Sequence, residues 1–217
     1  MKSAIIVPIK TNNQRLPGKN TRPLNGKHLY KYLFETLKRC DTVDNIYIDS
    51  SDDMILDTAE HWGFKTIKRP VSLNSPETSG YDLLNFELPH IEEEIICQVF
   101  VTLPFITSKT ITESIRCLQE NKNVDSVLNL YPMHDRYWFK RIPVNHDPGS
   151  LVGTQYMEPI MREAGFYVFK KHAFLREQKR VTSKFIEFSV DPDECIDIDT
   201  MQDFIYAEAY AKWRKDN

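Results

Sequence analysis

The chain has 217 residues, 41% of them hydrophobic, with 28 basic against 31 acidic side chains and a net charge of −3. That is enough apolar material for one sizeable core, and the near balance of charge excludes a globally basic nucleic-acid binder or a polybasic membrane-surface protein. No apolar run approaches the roughly 20 residues of a membrane span, and the N-terminal apolar stretch is only residues 4–7, so neither an anchor nor a signal peptide is expected and a cytoplasmic location follows.

The first element is a strand over residues 4–8, which runs directly into a polar, basic loop. Lys10, Arg15, Lys19 and Arg22 bring four cations into that loop, Gly18 permits close approach of backbone to a ligand, and Pro17 and Pro23 stiffen the path. An anion site at the end of a buried strand is the natural product, and a polyphosphate its natural guest. A helix over 28–39 follows, with Tyr30, Leu33, Phe34 and Leu37 spaced to pave one face, then a strand at 46–48, a helix at 54–62 and a strand at 64–67. Further on, the pattern predicts a helix at 81–88, a buried strand at 99–103, a helix at 111–119 with Ile111, Ile115 and Leu118 inward, and a strand at 124–130. This alternation is the rhythm of an α/β domain: three layers, with a mostly parallel sheet covered by helices on both faces.

From 131 to 161 the rhythm breaks into aromatic, basic and turn residues, including His134, Arg136, Tyr137, Trp138, Lys140 and Arg141. A long irregular stretch inside one domain is either functional or an exposed hairpin with solvated charges. Strands at 165–169 and 185–190 and a last helix over 201–214 complete the chain. Thr200 and Asp203 have the spacing of a capping box at the start of that helix. Just before it, Asp197 and Asp199 stand two apart beside Ile196 and Ile198; alternation along an extended strand end would point both carboxylates to one side, where they could share a Mg²⁺. The plainer reading is that Asp199 and Thr200 only shape the helix start.

Cys40, Cys97, Cys117 and Cys195 include no Cys-x-x-Cys pair and are expected as reduced, semi-buried thiols rather than zinc ligands. The six histidines have no metal-ligand spacing.

Leu16-Pro17-Gly18-Lys19-Asn20, followed by Pro23-Leu24-Asn25-Gly26-Lys27, resembles the N-terminal signature of the CMP-sialic acid synthetase family, the cytidylyltransferases that activate acidic sugars. Further blocks in the same order resemble that family: Ser50-Ser51-Asp52-Asp53, Lys68-Arg69-Pro70, the stretch from Glu77 to Leu84, the segment from Thr154 to Lys170, and Ile196-Asp197-Ile198-Asp199-Thr200. The resemblance implies a single Rossmann-like nucleotidyltransferase domain over residues 1–217. Within it, residues 131–163 would be an extension that contacts the acceptor and the partner subunit of a homodimer. It also implies CTP as substrate, Mg²⁺ as cofactor and a sialic acid-like or other keto-acid sugar as the anionic acceptor. Nucleotide contacts would come from Lys10, Asn12, Arg15, Lys19, Asn20 and Ser79, metal binding from Asp197 and Asp199, acceptor contacts from Lys109, Gln155 and Arg162, and catalysis chiefly from Lys19 and Asp199. Ser79 has a second reading as the cap of the helix that follows.

Three departures stand out, the first bearing on phosphate contact and the other two on the acceptor. Lys10 stands where relatives usually carry Arg, Leu103 replaces a Gln, and Thr154 replaces an Arg before Gln155. A cation suited to clamping a sugar carboxylate is therefore missing at position 154, which keeps a phosphonate or phosphate ester open as acceptor. A metal-dependent glycosyltransferase and a non-catalytic nucleotide-binding subunit are the competing classes. Against the first, its Asp-x-Asp pair would be expected near mid-chain; against the second, Lys19, Asn20, Asp197 and Asp199 are all retained.

Overall fold

In the computed structural model, residues 1–10 and 13–216 are described. In chain order the first half contains β1 (Ser3–Ile9), β2 (Pro23–Leu24), β3 (Lys27–His28), α1 (Leu29–Leu37), β4 (Asn45–Ser50), α2 (Asp53–His61), β5 (Lys65–Lys68), α3 (Gly80–Glu87) and β6 (Ile95–Gln98). The second half contains α4 (Ser108–Glu120), β7 (Ser126–Met133), β8 (Trp138–Phe139), β9 (Ile142–Pro143), β10 (Ile160–Glu163), β11 (Tyr167–Lys170), α5 (Lys171–Glu177), β12 (Phe185–Ser189) and α6 (Met201–Asp216).

β1 is buried along its whole length because it lies in the middle of an eight-stranded sheet, parallel to β4 on one side and β6 on the other. Four of the sheet's seven pairings are parallel; the three antiparallel ones involve β10 and β11, which return beside β7 and β6. Side chains alternate across β1. Ile5, Val7 and Ile9 enter one core with Leu33 and Phe34 of α1, Ile55 of α2 and Ile111 of α4, whereas Ala4 and Ile6 enter another with Leu84 of α3 and Phe174 of α5. Helices therefore cover both faces, which is why β1 reads as a continuous apolar run rather than an alternating one. All four predicted core positions of α1 are buried, as are Ile111, Ile115 and Leu118 of α4.

A third apolar cluster sets the site. Phe204, Ala207 and Ala211 of α6 pack on Leu16, Leu24, Leu29 and Phe105, with Ile198 fully buried among them. The basic loop after β1 and the acidic segment before α6 are thereby pressed together at the carboxyl edge of the strands.

Several expectations are corrected. The apolar run 99–103 is not a strand: β6 ends at Gln98, Val99 keeps one ladder bond to the Ile6 carbonyl at 3.1 Å, and the chain then turns, with Leu103 N–H donating to the Phe100 carbonyl at 3.1 Å. Four apolar residues around Thr102, of which Phe100 and Val101 line a cleft and Val99 and Leu103 enter the core, have nearly the composition of a buried strand. Residues 196–200 are not in a strand either; one bond, from Ile198 N–H to the Thr102 carbonyl at 2.9 Å, holds the segment extended. α5 and β10 lack a signal in the periodicity, since α5 is seven residues long and buries only Ala173 and Phe174. β7 continues to Met133 and β10 reclaims 160–163, so the irregular stretch is shorter than expected. At its tip β8 and β9 form a hairpin whose two turn residues, Lys140 and Arg141, both have positive φ (48° and 70°), as a tight two-residue connection requires.

Candidate active site

The basic loop gets its shape from Gly18, whose φ of +66° lies in the left-handed region and starts the short turn Lys19–Thr21. That turn buries Lys19 and Asn20. Lys19 Nζ donates to the Ile198 carbonyl at 2.6 Å and to Asp199 Oδ1 at 2.9 Å, and Arg15 Nη2 pairs with the same Oδ1 at 2.8 Å. Asn20 Nδ2 donates to the Lys10 carbonyl at 2.6 Å, closing the loop on itself. On the acidic side, Asp199 N–H and Thr200 N–H both donate to Asp203 Oδ2 (3.1 and 2.7 Å), while Asp203 N–H donates to Thr200 Oγ1 at 3.3 Å. The predicted capping box is therefore formed, and it fixes the backbone that carries Asp199. Glu194 ties the segment to the start of α4 by accepting from Thr107 N–H at 2.8 Å and Thr107 Oγ1 at 3.1 Å.

Two adjoining clefts open at this edge and share Lys10, Asn13 and Lys19. One, of about 210 Å³, is lined by Arg15, Gln14, Asn74 and Ser75 and is cationic. The other, of about 240 Å³, has an apolar floor of Pro8, Leu83, Phe100 and Val101, with Thr102 and Asp199 on its wall. The pair offers a charged compartment for phosphates beside an apolar one for a sugar or base. Burial, then the charge of Arg69, lowers the pKa of Lys10, with Asp49 opposing. Beneath it, Arg69 is fully buried and grips Asp49 Oδ2 through Nε at 2.9 Å and Nη2 at 2.6 Å. A third cavity of about 320 Å³, between α1 and α6, shares no residue with the two clefts.

Asp197 is the second carboxylate. Burial, reinforced by the charge of Asp199, raises its pKa, while Thr102, Lys19 and Arg162 pull the other way. Its Oδ1 is buried without a hydrogen-bond partner among the described residues. A partnerless buried oxygen beside a second carboxylate fits a hard divalent cation such as Mg²⁺. No group of three or more His, Cys, Asp or Glu among the described residues could hold a metal, so the other ligand positions would fall to substrate and water.

The remaining predicted residues are dispersed. Asn12 lies outside the described residues. Ser79 caps α3 in a capping box with Asp82: its hydroxyl accepts from Asp82 N–H at 3.1 Å and donates to Asp82 Oδ2 at 2.7 Å. Lys109 is exposed and 4.0 Å from Glu113. Gln155 is exposed in the short turn Thr154–Tyr156. Arg162 lies over the Tyr131 ring at 5.8 Å, on the side where its charge reaches Asp197. The sequence reading missed Asn13 and Thr102; Asn13 lies in the basic loop and was within reach of the same argument, whereas nothing local marks Thr102.

The zebrafish (Danio rerio) N-acylneuraminate cytidylyltransferase A is 23% identical over 216 residues, covering 95% of this chain, which spans half the length of that relative (50%). An 8-amino-3,8-dideoxy-manno-octulosonate cytidylyltransferase of Shewanella frigidimarina is 24% identical over 187 residues, 79% of this chain and 72% of its own length. Among solved structures, a CMP:2-keto-3-deoxy-manno-octonic acid synthetase complexed with CTP superposes with a TM-score of 0.70 at 16% identity, covering all of both chains, and so supports the three-layer fold. Residues 4–194 match the family model described as cytidylyltransferase, a span that ends before Asp197 and Asp199, and the chain belongs to that family.

Proposed function

We propose that this chain transfers a cytidylyl group from CTP to an anionic acceptor, a sialic acid-like or related keto-acid sugar, and releases pyrophosphate. The observation that carries the reading is the contact of Lys19 and Arg15 with Asp199 at the head of β1, where cations for a triphosphate meet the acidic pair. An acceptor hydroxyl oxygen would bond to the α-phosphorus, the bond from that phosphorus to the bridging oxygen would break, and the hydroxyl proton would leave. Negative charge is the main obstacle, so Lys10, Arg15 and Lys19 would neutralise the phosphates and the leaving pyrophosphate. Asp197 and Asp199 would hold Mg²⁺, which when bound supplies further neutralisation of phosphate oxygens.

Ser79, one helical turn from Leu83 of the apolar cleft, is the proposed base contact. Of the acceptor contacts, Arg162 has the support of its approach to Asp197, and Lys109 and Gln155 rest on the family resemblance alone. The four cysteines are unpaired thiols, which suits a cytoplasmic setting, and no helix among the described residues is long and apolar enough to cross a membrane.

The test is pyrophosphate release from CTP, UTP, ATP and GTP with Mg²⁺ against N-acylneuraminate, 3-deoxy-manno-octulosonate and small phosphonates. Release is expected with CTP and one keto-acid sugar. Release with a phosphonate only would move the acceptor class, and silence despite CTP binding would refute catalysis.

A homodimer is also proposed, supported by the apolar hairpin: Trp138, Phe139 and Ile142 are exposed, and Leu151 and Tyr156 stand exposed in the same extension. Phe139→Asp with Ile142→Asp should convert a dimer to a monomer in sedimentation; a monomeric unaltered chain would contradict the proposal.

A further inference from the structure

Arg180 belongs to none of the family-like blocks, yet its guanidinium is held firmly at the carboxyl edge of the sheet. Nη1 donates to Gln98 Oε1 at 3.0 Å, and the group lies 3.7 Å from the centroid of the Tyr167 ring and 5.8 Å from that of Tyr81. Gln98 is the last residue of β6 and pairs in register with Tyr167. Phe100, two residues further, lines the apolar cleft. On the other side, Nη1 lies 4.0 Å from where a Cβ on Gly80 would stand, in the first turn of the helix that brings Leu83 to the same cleft. Arg180 thus stands between the start of α3 and the end of β6, the two elements that carry Leu83 and Phe100 to the cleft.

Among the described residues its partners are an amide and two phenol rings rather than a carboxylate. The nearby Glu163 carboxylate accepts from Tyr167 Oη at 2.8 Å instead. A half-buried guanidinium stacked on a ring presents a rigid fork, which is the form in which Arg binds a planar carboxylate. A second observation points the same way: Gln98 is 1% exposed and its Nε2 has no hydrogen-bond partner among the described residues, so a donor amide is left beside the guanidinium.

We infer that Arg180, oriented by Gln98 and Tyr167, binds the carboxylate of the acceptor and supplies the cation that the chain lacks at Thr154. The assignment rests on the cytidylyltransferase reading. Steady-state kinetics of Arg180→Gln and Arg180→Lys, with CTP and with whichever of N-acylneuraminate or 3-deoxy-manno-octulosonate the unaltered enzyme uses, test it. Gln retains a donor for Gln98 but no charge. Arg180→Gln should raise the acceptor KM by about tenfold or more, the loss expected for one charge-assisted bond, while the CTP KM stays within about twofold. Arg180→Lys should recover part of that loss, and both variants should melt cooperatively near the unaltered temperature. An unchanged acceptor KM in Arg180→Gln, or equal rises in both KM values, would overturn the assignment while leaving cytidylyl transfer intact. Absence of turnover in the unaltered chain would overturn the function reading and this assignment together.

Discussion

Lys19→Ala and Asp199→Asn should each lower kcat by about a hundredfold or more, as removal of a charge contact made to the developing transition state does. Lys19 is nearly buried and its Nζ already spans the acidic segment, bonding the Ile198 carbonyl and Asp199 Oδ1, so its position depends on no exposed, mobile stem. Asp199 holds both Lys19 and Arg15, and Asn at 199 preserves shape while removing the charge. The comparison that decides is kcat against CTP binding. A fall in kcat with CTP binding largely kept in Asp199→Asn would fit a role in the chemical step; near-normal kcat in both variants would remove Lys19 and Asp199 from the catalytic assignment.

Loss of Arg69 should produce the largest fall in stability of any single change considered. Asp49 and Arg69 are both fully buried, and Glu87, also fully buried, has its carboxyl raised well above the usual range by burial and then by the neighbouring Asp49, with Arg69 opposing. Arg69→Leu would leave two carboxyls beside each other in the core without a cation, a defect costing about 3–5 kcal/mol. The sign of the pH dependence follows. A carboxyl whose folded-state pKa lies above its unfolded value contributes stability that is complete below the unfolded value and is lost as pH rises through the folded one. Arg69→Leu should therefore be weakest at neutral pH and recover part of its deficit toward pH ~4.5, where carboxyls take up protons. Chemical denaturation at several pH values measures this; a deficit that is small, or constant with pH, would contradict the account of the cluster.

The two ends of the site were legible because each carries a local pattern. The apolar run into Lys10, Arg15, Gly18 and Lys19 announces a strand feeding a basic loop, and Thr200 with Asp203 announces the cap that holds Asp199. The helix faces of α1 and α4 followed from 3.6-residue spacing alone. What failed depends on pairing across the chain. Nothing near Ile160 or Tyr167 tells that these strands run antiparallel to β7 and β6, and the apolar residues of 99–103 serve a cleft (Phe100, Val101) and the core (Val99, Leu103) rather than a continued ladder. Arg180 was invisible for the same reason, since Gln98 and Tyr167 meet it only after folding.

The most direct test follows the fate of the α-phosphorus. With CTP labelled at that atom, Mg²⁺ and a keto-acid sugar, the label should appear in a conjugate of CMP with the acceptor while unlabelled pyrophosphate is released in equal amount. Label recovered only as unreacted CTP or free CMP, with no conjugate formed across the acceptors, would contradict cytidylyl transfer by this chain.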